Sequence, residues 1–254
     1  MEKLFNQTDA MMEMVSSLDY LAKAAYHIES SLGESDQAAA DKSGEFCNEL
    51  DPVWDYFCKS ALEKAKQLDV QPFSGNPKEA ANGLYDNYFH IALSLALAGD
   101  TYIDTPVLAW AAFNKHQYRG FKDEIACVRL LAWAGFNPNA QDENGMSALH
   151  YMAFWQHPPY SHPRGVRTLL DAGADPNLQN LNGDTPLLYM AGMSPWQNNI
   201  SMSAAQLLGA GADARIKAND GATFHSILAQ VESQSPDPRR QEVIEFVEQL
   251  LASA

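Results

Sequence analysis

Three glycines spaced 38 residues apart, Gly135, Gly173 and Gly211, each open a near-copy of one string. The clearest copy runs from Gly173 to Pro186 as G-A-D-P-N-L-Q-N-L-N-G-D-T-P and continues into L-L-Y-M-A. Upstream the pattern returns as G-F-N-P-N, then N-G-M-S-A-L-H-Y-M-A ending at Ala153; downstream it returns as G-A-D-A, then D-G-A-T-F-H-S-I-L-A ending at Ala229. Self-similarity at a fixed period of roughly 20–50 residues marks a stack of one supersecondary unit, because each unit leaves an apolar face that only its neighbour covers. The period fixes an architecture and names no partner.

Each copy carries the local chemistry such a unit needs. Thr105, Thr185 and Thr223 stand where a helix begins and can cap its free N–H groups, and Pro106 and Pro186 supply the right φ in a first turn. The glycines after the second helix permit a left-handed ending. Asn144-Gly145, Asn182-Gly183 and Asp220-Gly221 are tight-turn dipeptides. Six positions beyond each helix start sits an alanine (Ala111, Ala153, Ala191 or Ala229), small enough for close helix stacking.

These features resemble the ankyrin repeat. T-P-V-L-A-W-A from Thr105, S-A-L-H from Ser147, T-P-L-L from Thr185 and T-F-H-S from Thr223 match the family's T-P-L-H helix start. Tyr88 to Ala98, ending at Gly99, resembles the second helix of a degenerate first unit. The resemblance covers about residues 84–254 and implies an all-α ankyrin-repeat solenoid: helix-loop-helix units with short β-hairpin fingers, preceded by a helical N-terminal segment. The sequence departs from the family in two ways. Where a second alanine is usual stand Trp110, Met152, Met190 and Leu228, which implies either wider helix spacing or a reshaped core. The units span 38 residues rather than about 33. The surplus falls at 115–122, 156–164 and 194–201, as a second binding edge or as drift in tolerant loops.

Residues 1–80 show no such signature and read as an acidic helical cap or a separate small domain, with 81–254 as the array. Met11, Met14, Val15, Leu18, Leu21, Ala25 and Ile28 form an apolar stripe at helical spacing, and Asp51-Pro52 opens a second helix carrying Phe57, Cys58, Ala61 and Ala65. A cap fits better, since an end repeat must hide its apolar edge. Residues 71–79, Q-P-F-S-G-N-P-K-E, read as a linker.

The chain carries 32 acidic and 17 basic side chains, a net charge of −15, and 15 of those acids against 7 bases lie in the first 80 residues. Such a surface repels phosphate backbones and anionic membranes, which argues against direct nucleic-acid or membrane binding. It suits a basic protein partner or mimicry of nucleic-acid charge, and it also serves plain solubility. Cys47, Cys58 and Cys127 make an odd, sparse set without CxxC spacing, as expected of buried small hydrophobes in a reducing, cytoplasmic compartment. The first residues lack the basic and apolar regions of a signal peptide. Catalytic strings of the Walker, G-x-G-x-x-G, G-x-S-x-G and H-E-x-x-H kinds are missing, and His157 and His162 have no acidic or cysteine ligand nearby at metal spacing. No cofactor, metal or catalytic residue is therefore expected.

The resemblance implies a monomeric protein-binding module, with partners on the finger tips and the exposed face of the first helices. Carried over residue by residue, those positions are Phe113; Glu143, Asn144, Met146, Phe154 and Trp155; Leu181, Asn182, Asp184 and Met193; and Asn219 and Asp220. Trp196 and Tyr160 in the longer loops join them, while His150 and His225 are expected to tie neighbouring fingers. Charge and economy of domains suggest a stoichiometric inhibitor or immunity-type protein. A passive scaffold, or an enzyme with its site in residues 1–80, are the rival readings.

Overall fold

The computed structural model describes residues 56–249, leaving aside 57, 68, 86–88, 118–123, 155–162, 192–197, 235, 237, 239–240, 242–243 and 246–247. The N-terminal apolar stripe and Cys47 lie outside the described residues, as do Trp155, Tyr160, Met193 and Trp196 and both loop histidines.

Helices come in pairs. α1 (Pro77–Tyr85) and α2 (Phe89–Leu97) form the first pair, and α3 (Val107–Gln117) and α4 (Glu124–Trp133) the second. α5 (Ala148–Phe154) pairs with α6 (Pro163–Asp171), α7 (Pro186–Ala191) with α8 (Asn198–Gly209), and α9 (Phe224–Gln234) opens a fifth unit. First helices stack on first helices from α1 through α9, and second helices on second helices from α2 through α8. One apolar core runs the length of this two-row solenoid, from Cys58 and Ala65 to Phe224, Leu228 and Ile244. Among the described residues no helix is long and apolar enough to cross a membrane.

The second helices end as the glycines direct. Gly135, Gly173 and Gly211 have φ of +91°, +87° and +91°, and each turns the chain so that two N–H groups recover helix carbonyls. Gly211 donates to Leu208 at 3.0 Å and Ala212 to Leu207 at 2.9 Å, with the same pair of bonds after α4 and α6. At the first-helix starts, Thr185 Oγ1 accepts from Leu188 N–H and Thr223 Oγ1 from Ser226 N–H. Thr105 differs, its hydroxyl donating to the Tyr102 carbonyl at 2.6 Å.

The expected linker is instead bound to the first pair. Pro77, Lys78 and Glu79 are the first turn of α1, so the helix pairs begin before residue 81. Phe73 N–H donates to Ser94 O at 2.9 Å, Tyr102 Oη–H to Gly75 O at 3.1 Å, and the Phe73 and Tyr102 rings meet edge-on. Turn-forming composition marked irregular backbone there correctly, but irregular backbone can dock as well as swing. Ahead of it residues 58–67 are helical, with Cys58, Ala61 and Ala65 buried as the apolar spacing requires.

Large residues at the second-alanine position reshape the core. Met152, Met190 and Leu228 are buried, while Trp110 stays half-exposed. The second helices answer with small buried residues at the repeat period, Cys127, Gly165 and Ser203. A Cβ built on Gly165 would stand 3.1 Å from Met152 Sδ, so the sulfur occupies the space the glycine leaves. Gly165→Val overfills that contact. It is expected to lower the unfolding free energy by about 1–3 kcal/mol, read from urea denaturation. An unchanged midpoint would mean that the two rows can part without loss.

Candidate functional site

The fingers are built from turns that bond sideways. Within each, one residue closes a short loop on itself: Asp142 N–H donates to Met146 O, Asn180 N–H to Asp184 O and Ala218 N–H to Ala222 O, at 3.0, 2.9 and 2.9 Å. The arms are too short for a strand ladder, and among the described residues only Lys217 and Thr223 form an antiparallel bridge. The hairpin expected from Asn-Gly is thus reduced to its turn. The remaining backbone groups reach the next finger: Leu181 N–H bonds Asn144 O at 3.2 Å and Asn219 N–H bonds Asn182 O at 2.9 Å.

Side chains repeat that tie at each junction. Gln141 Nε2 donates to Gly145 O and, at 2.9 Å, to Gln179 O; one period later Gln179 Nε2 donates to Gly183 O and to Lys217 O. Asn139 Nδ2 donates to Gly173 O while its Oδ1 accepts from Asp175 N–H, and Asn177 does the same with Gly211 and Asp213. The rung positions in the last finger are Arg215 and Lys217. Arg215 turns back onto Asp213 at 2.8 Å, which lowers the carboxyl's pKa and raises the guanidinium's.

Finger interiors are braced by polar side chains. Asp142 Oδ1 accepts from Asn144 and Met146 N–H, and its Oδ2 accepts the Tyr151 hydroxyl at 2.6 Å. Burial, then this carboxylate, push the Tyr151 pKa up. His150 is fully buried between fingers. Its Nδ1 faces Ser147 N–H and Oγ, and its Nε2 lies 3.0 Å from Asp184 O. Since Nδ1 must accept, the proton sits on Nε2 and the ring is neutral; burial holds its pKa down at about 4. His150 thus ties two fingers as expected. His225 is half-exposed, with Nε2 3.9 Å from Glu248.

The carried-over positions divide under the structure. Glu143, Asn144, Leu181, Asn182, Asn219 and Asp220 are exposed and share one ridge of finger tips. Asp184 is half-buried, its N–H donating to Asn180 Oδ1 at 2.9 Å. Met146 does not belong to the face: it is 4% exposed, and its sulfur accepts from Asn180 Nδ2 at 3.1 Å. It follows the left-handed Gly145, which turns the chain back into the core. Phe113 and Phe154 lie on α3 and α5; their side chains, like Trp155 and Met193, are outside the description.

Two features escaped sequence reasoning. Lys78 on α1 meets Glu143 Oε1 at 2.7 Å, Trp110 Nε1–H donates to Glu143 Oε2 at 3.1 Å, and the ammonium stands 5.4 Å from the Trp110 ring centre. The Lys78 hydrogen bond, first among several, holds the Glu143 carboxyl down at about 2. Tyr151 and Tyr189 occupy the same position of successive units, beside the acidic fingers, and burial raises both pKa values. Aligning the copies would have found the tyrosines; no local signal marks Lys78, 65 residues from its partner. Among the described residues no three His, Cys, Asp or Glu side chains are grouped to hold a metal ion.

A family model described as ankyrin repeats, in three copies, matches residues 108–218. That segment runs from α3 into the last finger and carries the ankyrin repeats. No curated protein matches the chain. Ankyrin repeats indicate a protein–protein interaction module.

Proposed function

We propose that this chain is a non-enzymatic binding module acting as a stoichiometric inhibitor of one protein partner, of basic character, held against the finger tips and first helices. The observation that carries this reading is the rigidity of the ridge. Every junction among the three regular fingers is tied by backbone and side-chain bonds, so a partner meets a surface that loses little freedom on binding. The acidic residues ahead of α1 fit the role of a cap on the first pair, and the buried thiols of Cys58 and Cys127 suit a reducing cytoplasmic setting.

The test is capture of a partner from the source organism with the full chain, followed by titration of that partner's activity. Inhibition should rise linearly and level off at one equivalent, and the Phe154→Ala/Trp155→Ala variant should lose it. A partner whose activity is untouched at saturation makes the chain a scaffold instead.

A further inference from the structure

Charge on the array is not shared between its two sides. The finger segments 100–106, 136–147, 174–185 and 212–223 hold eight acidic side chains against two basic ones, Arg215 and Lys217. The second helices α2, α4, α6 and α8 hold two acidic against three basic. The array is therefore polarised, with its negative potential gathered along the fingers.

In the middle of that acidic ridge stands one apolar side chain. The six tip residues are Glu143 and Asn144, Leu181 and Asn182, and Asn219 and Asp220; Leu181 is 70% exposed. A lone exposed leucine is ordinary, but this one is fixed at its base on both sides. Its N–H is bonded to Asn144 O and its C=O accepts Asn219 Nδ2–H at 2.9 Å. Neither its backbone nor its neighbours need to be ordered on contact, so nearly all the apolar area it buries counts toward affinity.

We infer that the finger ridge docks a cationic protein segment, which seats Leu181 in an apolar socket rimmed by Lys or Arg side chains. This rests on the binding-module reading and names the partner's chemistry. The flanking carboxylates of Glu143 and Asp220 give the rim its counter-charges. Lys78, now on Glu143, is displaced toward solvent as the partner's cation arrives. The same charge distribution rejects phosphate backbones.

A displayed library of random short peptides, panned on the full chain at low salt, supplies the probe. Enriched clones should carry an apolar residue between Lys or Arg residues. Their binding should weaken at least tenfold in Leu181→Ala, and again on raising the salt. It should weaken severalfold in Glu143→Gln/Asp220→Asn, where Asn keeps the turn acceptor. It should stay unchanged in Trp133→Ala, an exposed residue of the second-helix row. Leu181→Ala should melt with the parent chain, since its side chain lies in solvent. Clones indifferent to Leu181→Ala, or clones without cations, overturn the ridge while leaving a binding module. A library without any enriched clone overturns both.

Discussion

Gly183→Ala is expected to lower the unfolding free energy by about 3–4 kcal/mol, and Gly221→Ala by only about 1–2 kcal/mol. Both glycines have strongly positive φ, +80° and +86°, so alanine meets the same backbone penalty at each. They differ in what lies beside them. A Cβ on Gly183 would stand 2.7 Å from Asn219 N and from Asn219 Oδ1, whereas one on Gly221 meets nothing within 4 Å. At Gly183 the neighbouring finger must move, which endangers the Asn219–Asn182 backbone bond and both Gln179 bonds. Urea denaturation of the two variants thus measures finger stacking by difference. Equal losses would mean that the junction contributes nothing.

Acid should weaken the protein before its carboxylates titrate. His150 is held neutral at about 4, below the 6.5 of a free imidazole. The unfolded chain therefore takes up the proton first. The stabilisation is complete above about pH 6.5 and is lost as pH falls toward 4, the loss reaching about 2–3 kcal/mol by pH 4.5. Burial is the chief cause, and the geometry agrees with it: a proton on Nδ1 would confront the Ser147 N–H already pointing at it. In His150→Gln the amide can still span Ser147 and Asp184 but does not titrate. That variant should start less stable at pH 7.5 and lose almost nothing more by pH 4.5. A parent chain equally stable at both values would show that the imidazole is charged in the fold.

Where the chain repeats itself, the fold was readable. The glycine endings, the Thr185 and Thr223 caps, the helix pairs and the buried Ala111, Ala153 and Ala191 follow from nearest-neighbour chemistry, which recurs and so identifies itself; Ala229, at the same position of the last unit, is exposed because no further unit packs on it among the described residues. The role of Met152 was left open because only its partner decides it. Once Gly165 is seen across the two rows, the core is reshaped rather than spread. Residues 71–79 were misjudged because glycine and proline report backbone shape and not attachment. Of the candidate face, the turn dipeptides located the tips correctly. Met146 was misplaced because its neighbour Gly145 reverses the chain within one residue. Lys78 and Trp110 were missed because their meeting at Glu143 joins two helices and a finger across three units.

The change of rung residues in the last finger has a consequence for how the molecule comes apart. A row of tied turns behaves like a zipper, and its slider rests at the end where teeth are missing. Asn139 and Asn177 each grip the finger ahead, whereas Arg215, one period later, grips its own Asp213. Among the described residues the last finger is tied to a neighbouring finger from one side only, and its tip lacks the brace that Asp142 and Asn180 give the others, since Ala218 stands in their place. Opening therefore starts at the Ala218–Thr223 turn and runs toward Asp142, so that the Leu181 junction gives way only after the outer one.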